Sequence, residues 1–213
     1  MTHDLARRVG IRVAVAALGA APVAAALATP AHAAANPGST SSCTDPALSQ
    51  PFLAWGDDNW YALAPGEARD DFYGAGWTLT GGAHAVTTRL DDGTIGSVLD
   101  LPRGSKAVSP TICLTSAYPT ARMMIRNVSG SNGGSVGFSV SYAGTSTAAA
   151  PLQTGTFKTT GAGGVAGSWA LSDPANLDPS STPGWQLMRI TLAANGPKEL
   201  EVYNLYNDPR MRS

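Results

Sequence analysis

The sequence predicts an all-β chain, a two-sheet antiparallel β-sandwich of about eight strands preceded by a cleavable leader. Three observations carry that reading. Short runs with an apolar residue at every second position recur along the chain, as in Val136, Phe138, Val140 and Tyr142 or in Met188, Ile190 and Leu192. That period is the mark of a strand buried on one face. Turn formers punctuate the runs at short intervals, among them Gly81-Gly82, Asp91-Asp92-Gly93 and Asn195-Gly196-Pro197, the pattern of sandwiches and barrels. After the leader, no stretch of ten residues repeats apolar side chains at helical spacing.

Residues 1–33 read as a signal peptide. Arg7, Arg8 and Arg12 give it a positive start, 13–28 is apolar and alanine-rich, and Ala31-His32-Ala33 is a small-x-small cleavage site. Secretion into an extracellular setting is the expectation. Residues 34–42 read as a disordered arm, and 43–213 as a single domain. No later apolar run is long enough to span a bilayer, so no membrane span is expected after cleavage. Losing three arginines and one aspartate with the leader takes the formal net charge from −1 to −3. A nucleic-acid partner is therefore excluded, since it calls for a strongly basic face. Lysine occurs only at 106, 158 and 198, and with the heavy use of Ala, Gly and Pro this suggests a GC-rich bacterial genome.

Cys43 and Cys113 are the two cysteines, 70 positions apart and both past the leader. In an exported chain they are expected to form a disulfide. Redox-active pairs favour the Cys-x-x-Cys spacing, which is absent.

The elements follow in order. Thr44-Asp45-Pro46 is a turn or cap. Residues 52–63 read as two short extended pieces joined by the acidic turn Gly56-Asp57-Asp58-Asn59, with Phe52, Trp55, Trp60 and Tyr61 around it. A polar loop holds Glu67, Asp70 and Asp71. Strands are expected over 76–79, 83–90, 94–101, 107–114, 120–128, 136–142, 154–159 and 169–171. Pro110 belongs at an edge or bulge of its run, because proline cannot donate to a ladder. Residues 173–184 read as a surface loop. Residues 184–209 read as a closing hairpin, with a phase shift at Tyr203-Asn204 and a stop at Asp208-Pro209.

Catalytic signals are weak. His84 is the only histidine after the leader, which excludes a zinc site built on several histidines. Gly133-Gly134-Ser135-Val136-Gly137 fits Gly-x-Ser-x-Gly, but it leads into a strand where a nucleophile elbow leads into a helix. No catalytic residue is assigned. No cofactor is required. Calcium is the metal that loop oxygens suit, and Glu67, Asp71, Asn204 and Asp208 are its candidate ligands. Alternation sends Arg122, Arg126 and Arg189 outward from their strands. With Trp185 they are the candidate ligand-binding residues, expected to share one concave sheet face, since arginine and tryptophan grip sugars, carboxylates and anionic polymers.

Three segments resemble the galactose-binding-like jelly rolls found among carbohydrate-binding modules: Leu63-Ala-Pro-Gly66 with Phe72 and Gly76-Trp77, Gly96-Ser-Val-Leu-Asp-Leu101, and Val202-Tyr-Asn-Leu-Tyr206. Those modules often carry an Asp-Asp pair in the last strand supporting a structural calcium, where this chain has Tyr203-Asn204. Cys43-Thr-Asp-Pro46, Trp55-Gly-Asp57 with Asn59-Trp-Tyr61, and Tyr118-Pro-Thr-Ala-Arg122 look like a family of secreted actinobacterial proteins, a likeness that brings no function with it. The jelly-roll resemblance implies a secreted, non-catalytic module whose partner is an extracellular polysaccharide or a cell-wall glycan. Two alternatives stay open at this level: a hydrolase or lyase acting on extracellular polymer, and a self-associating surface protein.

Overall fold

The structure is a computed structural model that describes residues 39–64, 76–129, 135–143, 153–159, 167–181 and 183–208. The leader, Glu67, Asp71 and Gly133-Gly134 lie outside those residues. In chain order the strands are β1 (Leu48–Ser49), β2 (Tyr61–Leu63), β3 (Thr78–Thr80), β4 (His84–Arg89), β5 (Ile95–Leu101), β6 (Lys106–Val108), β7 (Ile112–Leu114), β8 (Thr120–Asn127), β9 (Ser135–Tyr142), β10 (Gln153–Lys158), β11 (Trp169–Leu171), β12 (Ala175–Asn176), β13 (Gln186–Ala193) and β14 (Leu200–Asp208). All pairings are antiparallel, and they form two sheets of eight and six strands. The chain is a β-sandwich.

The eight-stranded sheet is built on β14. Leu200, Glu201 and Val202 lie between β5 and β8, and Tyr206 and Asn207 lie between β2 and β8. Flanked on both sides, β14 is buried along its whole length. Its register against β8 shifts between Tyr203 and Tyr206, and Asn204 there has a left-handed backbone with φ +54°. Asparagine tolerates that conformation better than most residues. This bulge is the phase shift expected at Tyr203-Asn204.

The expected closing hairpin is not formed. β13 belongs to the six-stranded sheet, beside β9, β6 and β7, while β14 belongs to the other sheet. The 194–199 connection crosses between layers. Period-two alternation says which face of a strand is buried, but not which strand lies beside it. Pro110 falls in the gap between β6 and β7, which pair with successive parts of β13. Ser109 bridges that gap: its N–H donates to the Ile190 carbonyl at 2.9 Å, and its hydroxyl accepts from the Ile190 N–H at 3.0 Å.

The inner faces form one apolar core. Leu99, Leu101, Met123, Ile125 and Val202 come from the larger sheet, and Val136, Phe138, Val140, Met188, Ile190 and Leu192 from the smaller. Phe138 and Phe157 pack with tilted rings, centroids 4.9 Å apart. The disulfide Cys43–Cys113 ties the start of the described chain to β7, with Cα atoms 5.7 Å apart. Among the described residues, no helix is long and apolar enough to cross a membrane.

Candidate functional site

The outer face of the larger sheet is concave. The sheet order runs β11-β8-β14-β5-β4. At the usual strand spacing a flat sheet would set β11 about 19 Å from β4. Yet the Trp169 indole N–H on β11 donates to the Arg89 carbonyl of β4 at 2.9 Å. Arg126 on β8 likewise donates to the Thr88 hydroxyl of β4 at 2.7 Å. The sheet therefore curls until side chains from its opposite sides meet.

That concavity is filled by the chain itself. Tyr203, Met124 and Val98 are fully buried, and Trp169 nearly so. Trp169 and Tyr203 pack edge to face at 4.7 Å. Arg126 lies 4.5 Å over the Trp169 ring and pairs with Glu201, its Nε donating to Oε2 at 2.7 Å. Cation–π contact and a paired carboxylate together satisfy this buried guanidinium.

A strap crosses the rim of the same face. It runs from the 3₁₀ turn Leu53–Trp55 to β2 and is fixed at two points. At one, the Trp55 indole donates to Asp91 Oδ2 at 2.9 Å, and the Tyr203 hydroxyl donates to Asp91 Oδ1. At the other, Asp57 accepts from the Asn59 N–H at 3.1 Å, the Asn59 amide at 2.9 Å, the Tyr61 hydroxyl and Arg122. Burial alone would raise the Asp57 pKa, but these donors together hold it below the ordinary value of 3.8. The Tyr61 phenol is pushed up, by burial first and by the Asp57 hydrogen bond second. Beneath the strap, Phe52, Tyr61 and Tyr206 form an edge-on aromatic cluster with centroids 5.0–6.4 Å apart.

The strap leaves its large apolar side chains in water. Of the six exposed large hydrophobic residues described, Leu48, Leu53, Trp55 and Trp60 lie within 48–60; Trp55 is 38% and Trp60 53% exposed. Scattered exposed apolar residues need no explanation, but a concentration on one fixed segment marks a contact surface.

The arginine face expected from the sequence is corrected. Arg122 and Arg126 share the outer face of the larger sheet, as alternation requires. Arg189 lies on β13 in the other sheet, where its Nε donates to the Thr111 hydroxyl at 3.3 Å, and Trp185 immediately precedes β13. Arg122 and Arg126 are each held by a carboxylate, the half-buried Asp57 and the buried Glu201, and their own side chains are 18% and 15% exposed. The tryptophans of the strap were visible in the sequence as Trp-Gly-Asp-Asp-Asn-Trp-Tyr, but nothing there showed the turn to be anchored across the sheet.

Asn204 and Asp208 are both buried on β14, and each keeps one side-chain oxygen without a hydrogen-bond partner. Burial raises the Asp208 pKa above 3.8. Oxygen donors are the type calcium takes, and the other two candidate ligands, Glu67 and Asp71, lie outside the described residues. Among the described residues no group of three or more His, Cys, Asp or Glu is placed to hold a metal. Ser135, the serine of the Gly-x-Ser-x-Gly match, is paired in the β9–β10 ladder, and His84 begins β4 in the other sheet.

No protein-family model and no curated protein matches the chain. The likeness to secreted actinobacterial proteins therefore gains no support. Among solved structures the chain is similar to a family 11 carbohydrate-binding module from Clostridium thermocellum in complex with a β-1,3-1,4-mixed-linked tetrasaccharide. Identity is 16%, the match covers 68% of this chain and 95% of that one, and the TM-score is 0.38. It is similar also to a xylan-binding domain from Paenibacillus barcinonensis, with 12% identity, coverage of 68% and 93%, and a TM-score of 0.40. A third similar structure is an arabinose-bound α-L-arabinofuranosidase, with 12% identity and a TM-score of 0.41. That match covers 69% of this chain but spans only 25% of the enzyme. The fold assignment stands on the sheet topology.

Proposed function

We propose that the chain is an exported, non-catalytic module that binds an extracellular polysaccharide or cell-wall glycan. The observation that carries the reading is the pair Trp55 and Trp60, exposed on a strap fixed at two points, the Trp55–Asp91 hydrogen bond at the surface and the part-buried Asp57 cluster with Arg122. Indole faces cover the apolar C–H faces of sugar rings, and a platform held before the ligand arrives loses little entropy on binding. Export supplies such a partner and suits the disulfide.

A hydrolytic reading needs two carboxyl groups that face a substrate. Asp100 and Glu201 are partners across β5 and β14, but both are buried and Glu201 is held by Arg126. The proposal is tested by incubating the protein with insoluble xylan, mixed-linked glucan, chitin and peptidoglycan, then assaying both the bound fraction and the supernatant sugars. Retention on at least one polymer without released products supports it. Release of soluble sugars would instead make the chain a hydrolase or lyase.

A further inference from the structure

The Trp55 indole is tied to the interior of the larger sheet through one intermediate residue. Its N–H donates to Asp91 Oδ2 at 2.9 Å, and the Tyr203 hydroxyl donates to Oδ1 of the same carboxylate. In return the Asp91 N–H donates to the Tyr203 hydroxyl oxygen at 3.3 Å. The residues are remote in sequence: 36 positions separate Trp55 from Asp91, and 112 separate Asp91 from Tyr203. They also differ in depth. Trp55 and Asp91 are exposed, whereas Tyr203 is fully buried on β14.

Each link has its own task. The 3₁₀ turn fixes the backbone of Trp55, whose N–H donates to the Phe52 carbonyl at 2.8 Å, while the Gly56 N–H donates to Leu53 at 3.0 Å. Those bonds leave the side-chain torsions free. The ring N–H is the one donor an indole has, so it alone can fix them by hydrogen bonding. Its acceptor, Asp91, stands in the exposed turn between β4 and β5. A carboxylate there samples several rotamers unless a second donor holds it. Tyr203 is that donor. Its own ring is set by edge-to-face packing against Trp169 at 4.7 Å, and the Trp169 indole is bonded in turn to the Arg89 carbonyl at 2.9 Å, two residues before Asp91. The rigidity of β14 thus reaches an indole at the surface.

We infer that Tyr203 is a positioning residue of the glycan platform. From inside the sheet, and acting through Asp91, it sets the plane of the Trp55 indole before a ligand arrives. The effect on binding rests on the glycan-binding reading, whereas the coupling of Tyr203 to Trp55 does not. Packing against Trp169 needs only the ring, which phenylalanine also has, so the hydroxyl can be removed while the core stays filled. Ordering one large side chain in advance spares the ligand that cost, which amounts to about three- to tenfold in affinity. Trp60 stands outside this series of bonds and serves as the internal control.

The test follows the indole N–H signals of the whole, isotope-labelled protein by NMR in the wild type, Tyr203→Phe, Trp55→Phe and the double variant. Retention of the same proteins is measured on insoluble xylan, mixed-linked glucan, chitin and peptidoglycan. The Trp55 signal is the one lost in Trp55→Phe, and that of Trp60 is assigned with Trp60→Phe. In Tyr203→Phe the Trp55 signal is expected to shift and to exchange with solvent several-fold faster, while the Trp60 signal stays in place. Tyr203→Phe should weaken retention about three- to tenfold when Trp55 is present, and less than about twofold in the Trp55→Phe background, because both changes cut one tether. A hydroxyl that only supports the fold would weaken both backgrounds alike. Asp91→Ala cuts the tether at the surface and should reproduce both changes even if Tyr203→Phe does not fold. A Trp55 signal unmoved in these variants would overturn the positioning. A moved signal with unchanged or fully additive retention would overturn its role in binding. A moved signal in a protein that none of the polymers retains overturns the glycan reading, and with it the effect on binding, and leaves the coupling of Tyr203 to Trp55 standing.

Discussion

Asp57 on the strap is paired with Arg122 on β8, 65 residues further along the chain. The pair does more than join two charges. Arg122 also donates through Nε to the Ser172 carbonyl at 2.9 Å, so strap, β8 and the segment after β11 meet at one guanidinium. Removing the carboxylate takes the direct ion-pair partner from Arg122 in a mostly buried place, with only the more distant Asp208 carboxyl left to offset its charge. Asp57→Ala is expected to cost about 2 kcal/mol, less than a fully buried pair because Arg122 is 18% exposed. Chemical denaturation checks the loss. An unchanged midpoint would mean that the strap is not anchored there.

Arg126→Ala is expected to cost about 3 kcal/mol, because Glu201 would be left buried without its partner. An apolar replacement of both, Arg126→Met with Glu201→Leu, should recover most of that. The pair of measurements separates a structural ion pair from a ligand-binding arginine, whose removal would leave stability nearly unchanged. If Arg126→Ala unfolds at the wild-type midpoint, the arginine is free and the filled face described above is wrong.

Asp100 gives stability a pH dependence. Burial first, then the repulsion of Glu199, pushes its carboxyl from 3.8 to about 6, while His84 opposes the rise. The folded state therefore holds a proton that the unfolded state has already released between those values. Its contribution is fully present below 3.8 and is lost as the pH rises through about 6. Asp57 acts in the opposite sense: its lowered pKa gives stability above 3.8 that is lost as pH falls through the folded value. Asp100→Asn should thus raise Tm at pH 7.5 and leave it near the wild-type value at pH 4. A variant with the same pH slope between 4 and 6 as the wild type would contradict the assignment.

The Cys43–Cys113 bond closes a loop of 70 positions. On the chain-entropy account such a loop is worth about 4 kcal/mol, so Cys113→Ser should lower the unfolding midpoint by most of that amount. Intact mass of oxidised protein should be two hydrogens below that of the reduced form. Free thiols in oxidised material would show that the bond is not formed.

Much of the sandwich was readable because each long strand has one face in the core. Val136, Phe138 and Val140, like Met188, Ile190 and Leu192, could be assigned to the interior by period alone. The bulge at Asn204 showed as a break in that period. Neighbours were not readable, since alternation is blind to pairing, and so β13 and β14 looked like a hairpin although they lie in different sheets. The arginines suffered the same blindness. Their outward direction followed from the pattern, but whether Arg122 and Arg189 shared a sheet did not. Asp57 and Asp91 looked like turn aspartates because turns favour aspartate, and their partners Arg122 and Tyr203 lie far off in sequence.

The central claim is that Trp55 and Trp60 form a glycan platform on a pre-set strap. The most direct measurement is the fraction retained on the best-binding insoluble polymer for the wild type and for Trp55→Ala/Trp60→Ala, with Tm recorded on the same samples. Alanine at an aromatic anchor of a binding surface typically removes about 2 kcal/mol or more. Retention should fall at least tenfold with Trp60→Ala alone and vanish with both replaced. Trp60 carries no anchor contact in the strap, so its single variant should melt within a degree or two of the wild type, as surface substitutions do. Undiminished retention by the doubly substituted protein, folded and at equal concentration, would contradict the account.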